Sequence, residues 1–266
     1  MLGRNMIPTP VCPEEPSLSI QLRDWYRLPL GERLRVTEEA TLADILPDMF
    51  GYHLLQVGSM ADGMLSSSRI LHRAVMAVGQ RAAEEAVGLC GEPERLPVTA
   101  DSLDALILYH TLEFSPDPHQ VLREAERVLV AEGHIVVLGF NPFSLWGLRK
   151  VVPLRRRGMP WCGRFLSLPR LRDWLSLLGF ETVSVRQLFR RPPLQRAGAL
   201  ERFRFLERLN RPWLSLPGGV YMVVARKKVM TMTPIKPRWR PRRSLVSGLA
   251  DSASRNVAAR NPQSRA

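Results

Sequence analysis

The chain has 266 residues, of which 45% are hydrophobic, so it can bury one sizeable core without disulfide bonds or a structural metal. Its three cysteines are odd in number and far apart, which fits neither a disulfide framework nor a zinc site, so no metal is expected. Its apolar runs are far shorter than the roughly 20 residues of a membrane-spanning helix, so no membrane partner is expected. Its first residues lack the apolar stretch of a secretory signal, which predicts a cytoplasmic protein. The net charge of +13 is uneven, because residues 1–148 carry 11 Lys/Arg against 20 Asp/Glu whereas residues 226–266 carry 11 against one.

The first 35 residues are an extension of unassigned role, in which Trp25 and Tyr26 are the apolar anchors. A helix is expected to begin near Thr37, because TEEATLADILPDMF places apolar residues at helical spacing behind a capping threonine. It leads into YHLLQV, residues 52–57, a continuous apolar run that is short enough to be a buried strand.

A glycine turn follows this strand and contains Gly58 and Gly63. After the turn, LSSSRILHR is predicted to be a helix that begins on serines, and AVMAV and AVGLC are predicted to be the second and third strands. DALILY, residues 104–109, is a stronger strand pattern, because it is apolar and follows the turn-like TADS.

The second half of the pattern continues the alternation of strands and helices. A helix is predicted in SPDPHQVLREAERVL, where Asp117 is a typical cap and Pro118 suits the first helical position. The remaining predictions are a strand GHIVVLGF, a helix around LPRLRDWLSLLGF ending at Gly179, a strand ETVSVRQ, a helix around LERFRFLERLN and a last strand GGVYMVVARKK. This order indicates an α/β fold, a doubly wound and mostly parallel sheet with any ligand beyond the carboxyl ends of its strands.

Three regions follow from this reading: the extension at 1–35, a main domain at 36–228 and a basic tail at 229–266. The tail is rich in Pro, Ser and Arg and has few large apolar residues, so it cannot form a core and is expected to be disordered.

An ordered string of short motifs between residues 91 and 142 resembles the small-molecule type of class I S-adenosylmethionine-dependent methyltransferases. That family commonly shows an acid four residues before Leu-Pro, then S-F-D, a strand, L-E-H, D-P and L-x-E-x-x-R-V-L-x-P-G-G. The matching residues here are Glu92, Leu96, Pro97, Ser102, Leu103, Asp104, Leu112, Glu113, Asp117, Pro118, Leu122, Glu124, Arg127, Val128, Leu129 and Gly133.

The resemblance implies a Rossmann-like domain with a seven-stranded sheet whose last-added strand is antiparallel, and S-adenosyl-L-methionine as cofactor. It implies that Gly58 lets the backbone approach the cofactor, that Glu92 accepts from the adenine amino group, and that Tyr109 and His110 at the end of the fourth strand flank the methyl donor. The cofactor-binding set implied in this way is Gln56, Gly58, Ser59, Asp62, Glu92, Tyr109 and His110.

Several positions depart from the family pattern. Gln56 stands where the family generally has an acid, Met60 and Asp62 stand at glycine positions, and the second strand ends near Gln80 without a carboxylate. Asp62 is a candidate for facing the amino group or the sulfonium of the cofactor. His110 is the histidine best placed to act as a base, with a satisfied strand-end residue as the alternative.

The function implied by the resemblance is transfer of a methyl group to an unidentified acceptor, most simply a small molecule. The alternative is a methyltransferase-like protein without catalysis that serves as a binding or scaffold module, favoured by the altered glycine turn and the missing acid. Nucleic acid is a further candidate partner, through the basic segment 149–172, where Arg155 to Arg157 precede Trp161, and through the tail. The sequence predicts no oligomeric state.

Overall fold

The computed structural model describes residues 15–58, 64–78, 89–151, 158–193 and 217–228. Within these residues the helices are α1 (Glu15–Tyr26), α2 (Pro29–Ile45), α3 (Pro118–Val128), α4 (Leu145–Val151) and α5 (Leu168–Leu177). The strands are β1 (His53–Val57), β2 (His72–Val78), β3 (Leu89–Gly91), β4 (Leu103–Tyr109), β5 (Leu129–Phe140), β6 (Phe180–Leu188) and β7 (Val220–Lys227).

The seven strands form one sheet in the order β3-β2-β1-β4-β5-β7-β6. Every neighbouring pair from β3 to β5 is parallel, and β7 pairs antiparallel with both β5 and β6. The strand order reverses between β1 and β4, so the crevice for a ligand in this type of sheet lies at the carboxyl ends of these two strands. The seven-stranded, mostly parallel sheet predicted from the sequence is confirmed.

Both faces of the sheet are covered by apolar side chains, because successive residues of a strand point to opposite faces. In β4, Leu106 belongs to the apolar cluster on one face and Ile107 to the cluster on the other, and both are fully buried. Trp25 and Tyr26 of α1 pack into the same cluster as Ile107, which confirms their predicted role as anchors.

Two helix predictions for the first half of the chain are wrong. The helix expected near Thr37 begins at Pro29, where proline occupies an early helical position, and the Thr37 hydroxyl donates to the carbonyl of Arg33 instead of capping. No helix forms within residues 64–71, because the serine pattern makes a turn: the Ser68 hydroxyl oxygen accepts from the amide of Ile70.

The capped helix after the fourth strand is confirmed, since the Asp117 carboxylate accepts from the amides of His119 and Gln120. The helix predicted around residues 200–210 lies outside the described residues. The chain divides into two units, residues 1–229 and 230–266, and the second also lies outside the described part. None of the described helices is long and apolar enough to cross a membrane.

Candidate functional site

Gly58 directly follows β1, at the point where the strand order reverses between β1 and β4. Its φ is +96°, and a Cβ atom at this position would lie 2.5 Å from the backbone oxygen of Tyr109, at the end of the neighbouring strand β4. The Thr111 hydroxyl donates to the carbonyl of Val57 over 3.0 Å, which ties the turn to the chain that leaves β4. Glycine is therefore required here by the protein's own backbone.

Gln56 precedes this turn and is 1% exposed. Its amide nitrogen donates to the carbonyl of Gly58 over 3.0 Å, but its side-chain oxygen Oε1 accepts from no group in the described part of the chain. A buried acceptor without a donor is unfavourable by about 1–3 kcal/mol, and here this unused acceptor lies beside the glycine turn. The amino group of S-adenosylmethionine is a donor that fits this oxygen, and in this respect the residues present fit the cofactor.

Glu92 directly follows β3, at the same edge of the sheet. Its side chain is exposed, and its backbone forms an isolated bridge with Arg95 that closes a short turn. The carboxylate is thus accessible at the position where the resemblance places an adenine acceptor. Ser59, Asp62 and Gln80 lie outside the described residues.

His110 lies between two glutamates in the interior of the protein. Its Nε2 lies 3.0 Å from Oε1 of Glu38, and its Nδ1 lies 3.2 Å from Oε1 of Glu113. The hydroxyl groups of Tyr26 and Tyr109 both donate to Oε2 of Glu38. We call these five residues the buried polar cluster; it joins α1 and α2 to the end of β4.

The backbone of His110 is strained, with a φ of +47°. Burial lowers the pKa of its imidazole, but the carboxylates of Glu38 and Glu113 outweigh burial and raise the pKa from 6.5 to about 9. The ring is therefore an imidazolium at neutral pH and donates through both nitrogens. In this state it has no lone pair with which to act as a base.

Tyr109 contributes to the site through its backbone. Its carbonyl lies against Gly58, whereas its ring is buried and its hydroxyl faces Glu38. Burial, reinforced by the charge of Glu38, raises the pKa values of Tyr26 and Tyr109 well above 10, so both phenols remain neutral donors. The structure thus brings together Gln56, Gly58, Tyr109 and His110.

Sequence reasoning missed Glu38 and gave Glu113 no role beyond its place in the motif string. Glu38 lies 72 positions before His110 on a helix outside the motif string, and no spacing connects the two. Glu113 belongs to the Leu-Glu motif after β4, which is the one sequence signal that could have identified it.

Aromatic side chains surround the cluster on the side of β5. The centre of the Phe140 ring lies 4.2 Å from the centre of the His110 ring. The Phe140 ring also stacks on the rings of Trp146 and Phe165, with centre-to-centre distances of 5.7 and 5.2 Å. Trp161 stacks on Trp146 and is only 3% exposed, so it is a core residue and offers no surface ring to a nucleic-acid base.

Comparisons with known proteins agree with this fold. Residues 64–137 match the family described as "Methyltransferase domain". The chain is 36% identical over 215 residues to the uncharacterized protein YafS of Escherichia coli, covering 80% of this chain and 84% of YafS.

Two solved structures share the fold. One is a S-adenosylmethionine-dependent methyltransferase of Thermotoga maritima, described as a possible histamine N-methyltransferase, with a TM-score of 0.56 and 19% identity over 79% of this chain and 98% of that chain. The other comes from a Haloferax volcanii complex of the Trm112 methyltransferase activator with a methyltransferase, with a TM-score of 0.55 and 14% identity over 82% of this chain and 100% of that chain. The chain therefore carries a methyltransferase domain of the class I S-adenosylmethionine-dependent fold and belongs to the same family as YafS of Escherichia coli.

Proposed function

We propose that the protein transfers the methyl group of S-adenosyl-L-methionine to a small-molecule acceptor in the cytoplasm. The observation that carries this proposal is the unused, buried Oε1 of Gln56 beside the Gly58 turn, at the one place where the strand order reverses. Gln56 would hold the amino group of the cofactor, the Gly58 turn would lie against the cofactor, and Glu92 would accept from its adenine. When bound, the cofactor supplies an electrophilic methyl group on a sulfonium.

The protein's own contribution is positioning and exclusion of water. The end of β4 is fixed by His110 between two carboxylates, and Phe140 covers the imidazolium at 4.2 Å. A fixed, largely apolar surface beside the crevice holds an acceptor near the methyl group without a hydration shell, which accelerates an in-line displacement.

The test is the affinity for the cofactor's demethylated product, S-adenosylhomocysteine, by titration calorimetry on the full chain. We expect binding that Glu92→Ala weakens at least tenfold, because an adenine contact would be lost. The matched control is Glu32→Ala, an exposed glutamate of α2, which should bind normally. A folded wild-type protein that gives no heat with either S-adenosylmethionine or S-adenosylhomocysteine would contradict the proposal.

Gln56 has its own pair of variants. Gln56→Leu removes the unused oxygen and should weaken binding of S-adenosylhomocysteine by about tenfold, which corresponds to about 1.4 kcal/mol. Gln120→Leu, on α3, is the control. Equal affinities for the two variants would exclude Gln56 from the cofactor site.

The second candidate function is a binding or scaffold module that lacks catalysis. Met60 and Asp62 at glycine positions favour it, since larger side chains in the turn reduce the room for a cofactor. Binding of the cofactor without methyl transfer to any acceptor pool would favour this alternative.

A further inference from the structure

The buried polar cluster contains two carboxyl groups and one imidazole. Glu38, His110 and Glu113 are each at most 2% exposed, and His110 is the single cation that pairs with the two glutamates among the residues the structure describes. An uncompensated buried carboxylate is strongly unfavourable, so such a group normally has a cationic or hydrogen-bonding partner.

The unused capacity lies on one atom, Oε2 of Glu113. Its other oxygen, Oε1, accepts from His110 and from the backbone amide of Phe140, the latter over 2.7 Å. Oε2 is buried and accepts from no donor in the described ranges. By contrast, both oxygens of Glu38 are occupied, by His110 and by the two tyrosine hydroxyls. The free acceptor thus lies on the Glu113 side of the cluster, next to β5.

The surroundings of this oxygen indicate the chemistry of its partner. The backbone amide that binds Glu113 belongs to Phe140, whose ring stacks on Trp146 and Phe165. The Phe140 ring also lies 4.2 Å from the His110 ring, centre to centre, so aromatic side chains lie close to this carboxylate. A carboxylate near aromatic rings is a combination that binds organic ammonium groups. A metal ion is a poorer fit, because both nitrogens of the neighbouring imidazolium already donate hydrogen bonds.

We propose that Oε2 of Glu113 binds the nitrogen of the methyl acceptor, and that the acceptor is a small amine carrying an apolar or aromatic group. The inference rests on the proposed function and names its substrate class. The amine arrives as an ammonium ion and passes one proton to the Glu113 carboxylate. Its freed lone pair forms the new N–C bond while the S–C bond breaks and sulfur keeps that bonding pair, leaving a neutral thioether and a methylated ammonium product. The proton on Glu113 leaves to solvent when the product departs.

Trp25 of α1 packs beside the same aromatic residues. Trp25 lies 6.4 Å from Phe140 and 5.9 Å from Trp146, ring centre to ring centre, and it is 5% exposed. Its indole nitrogen donates to no described acceptor, whereas the hydroxyl of the neighbouring Tyr26 donates to Glu38 and ties α1 to the buried polar cluster.

The test compares amines with alcohols of the same shape, using full-length protein saturated with S-adenosylhomocysteine. The probes are benzylamine with benzyl alcohol, phenethylamine with 2-phenylethanol, and tryptamine with tryptophol, each measured by titration calorimetry. We expect at least one amine to bind ten times more tightly than its alcohol. If no amine is preferred to its alcohol, the inference is overturned.

The residue assignment is tested with Glu113→Gln, which keeps an oxygen for the amide of Phe140 but removes the negative charge. We expect it to retain S-adenosylhomocysteine binding and to lose amine binding at least tenfold, whereas Glu32→Gln changes neither. A folded Glu113→Gln protein with wild-type amine affinity overturns the assignment. If Glu113→Gln does not fold, the affinities of the wild-type protein for the amines and their matching alcohols still test whether the acceptor is an amine.

The two proposals fail in different ways. Binding of S-adenosylhomocysteine without any preference for amines removes only the amine acceptor. Absence of S-adenosylhomocysteine binding to folded wild-type protein removes the methyltransferase function itself, and with it the substrate class that depends on it.

Discussion

At Gly58 two requirements coincide, since the residue has a positive φ and its missing side chain leaves room for the carbonyl of Tyr109. Gly179 shares the positive φ, at +82°, but no atom lies within 4 Å of a Cβ built there. A side chain at Gly179 would cause backbone strain only, whereas a side chain at Gly58 would cause both strain and a steric clash. This difference shows that Gly58 is held by the junction of β1 and β4 even before any ligand is considered.

Substitution of these glycines by alanine gives the first residue-scale prediction. Gly179→Ala should lower the free energy of unfolding by about 1 kcal/mol through strain alone. Gly58→Ala should lower it by at least ~2 kcal/mol, because the contact with Tyr109 is added to the strain. Urea denaturation measures both, and equal losses would refute the role of the contact.

The second residue-scale prediction concerns the titration of two histidines. Burial lowers the pKa of His110 but the two glutamates raise it to about 9, whereas burial, aided by Arg226, lowers the pKa of His134 below 6.5. In a ¹³C-detected histidine titration, the His110 ring should remain an imidazolium until about pH 9. As pH rises, the His134 ring should lose its proton with a midpoint below pH 6.5. A His110 ring that is neutral at pH 7.5 would contradict the cluster.

The same shift has a consequence for stability. The pKa of His110 in the folded protein lies above the ordinary value of 6.5, so its contribution to stability is fully present below pH 6.5 and is lost as pH rises through about 9. The shift corresponds to ~3 kcal/mol. Urea denaturation at a series of pH values in this window should therefore show a falling free energy of unfolding.

At the scale of elements, α2 matters more for the site than its sequence suggests. It carries Glu38 into the interior, where the carboxylate binds Tyr109 and His110 at the end of β4. A helix outside the matched segment at residues 64–137 thereby fixes the strand end that borders the crevice. α3, in contrast, is set by local sequence, through a cap, a proline and one apolar face.

The cap of α3 gives the element-scale prediction. Asp117→Ala removes the acceptor for the amides of His119 and Gln120 and should lower the free energy of unfolding by about 1 kcal/mol. Asp173→Ala, an exposed position within α5, is the control and should change stability by less than about 0.5 kcal/mol. A loss of the same size in both variants would show that the cap contributes nothing specific.

At the scale of the whole molecule, charge and fold are separated along the chain. The tail, residues 229–266, holds eight of the 38 basic residues and one acidic residue. Within the basic segment 149–172, Arg149 lies over the ring of Trp161 and donates to the carbonyl of Pro193, and Lys150 donates to the carbonyl of Gly163. These two of the segment's eight basic residues serve the packing of the domain. We expect nucleic acid to bind mainly through the tail.

Removal of the tail tests this separation. A version ending at Lys228 should bind S-adenosylhomocysteine as the full chain does but should retard DNA in a gel much less at low salt. Retardation by the full chain should fall steeply as salt is added, because binding through a basic tail releases counterions. Equal retardation by the two versions would instead place a nucleic-acid site on the domain.

The sequence by itself determined the strands, the capped helix α3 and the methyltransferase fold. Each of these features depends on residues that are close together in the sequence: apolar runs such as DALILY, the cap at Asp117 and the ordered string of motifs. It failed at LSSSRILHR, where serines that can begin a helix make a turn instead, and at Thr37, where a cap pattern lies inside a longer helix.

Only the tertiary structure decided what His110 does. Its charge state depends on Glu38, which is remote along the chain and is buried beside it by the packing of α2 against β4. The unused oxygens of Gln56 and Glu113 are likewise visible only when every neighbouring donor has been placed. Hydrogen bonding and burial depend on distances between remote residues, and for this reason the sequence located the site whereas the fold defined its chemistry.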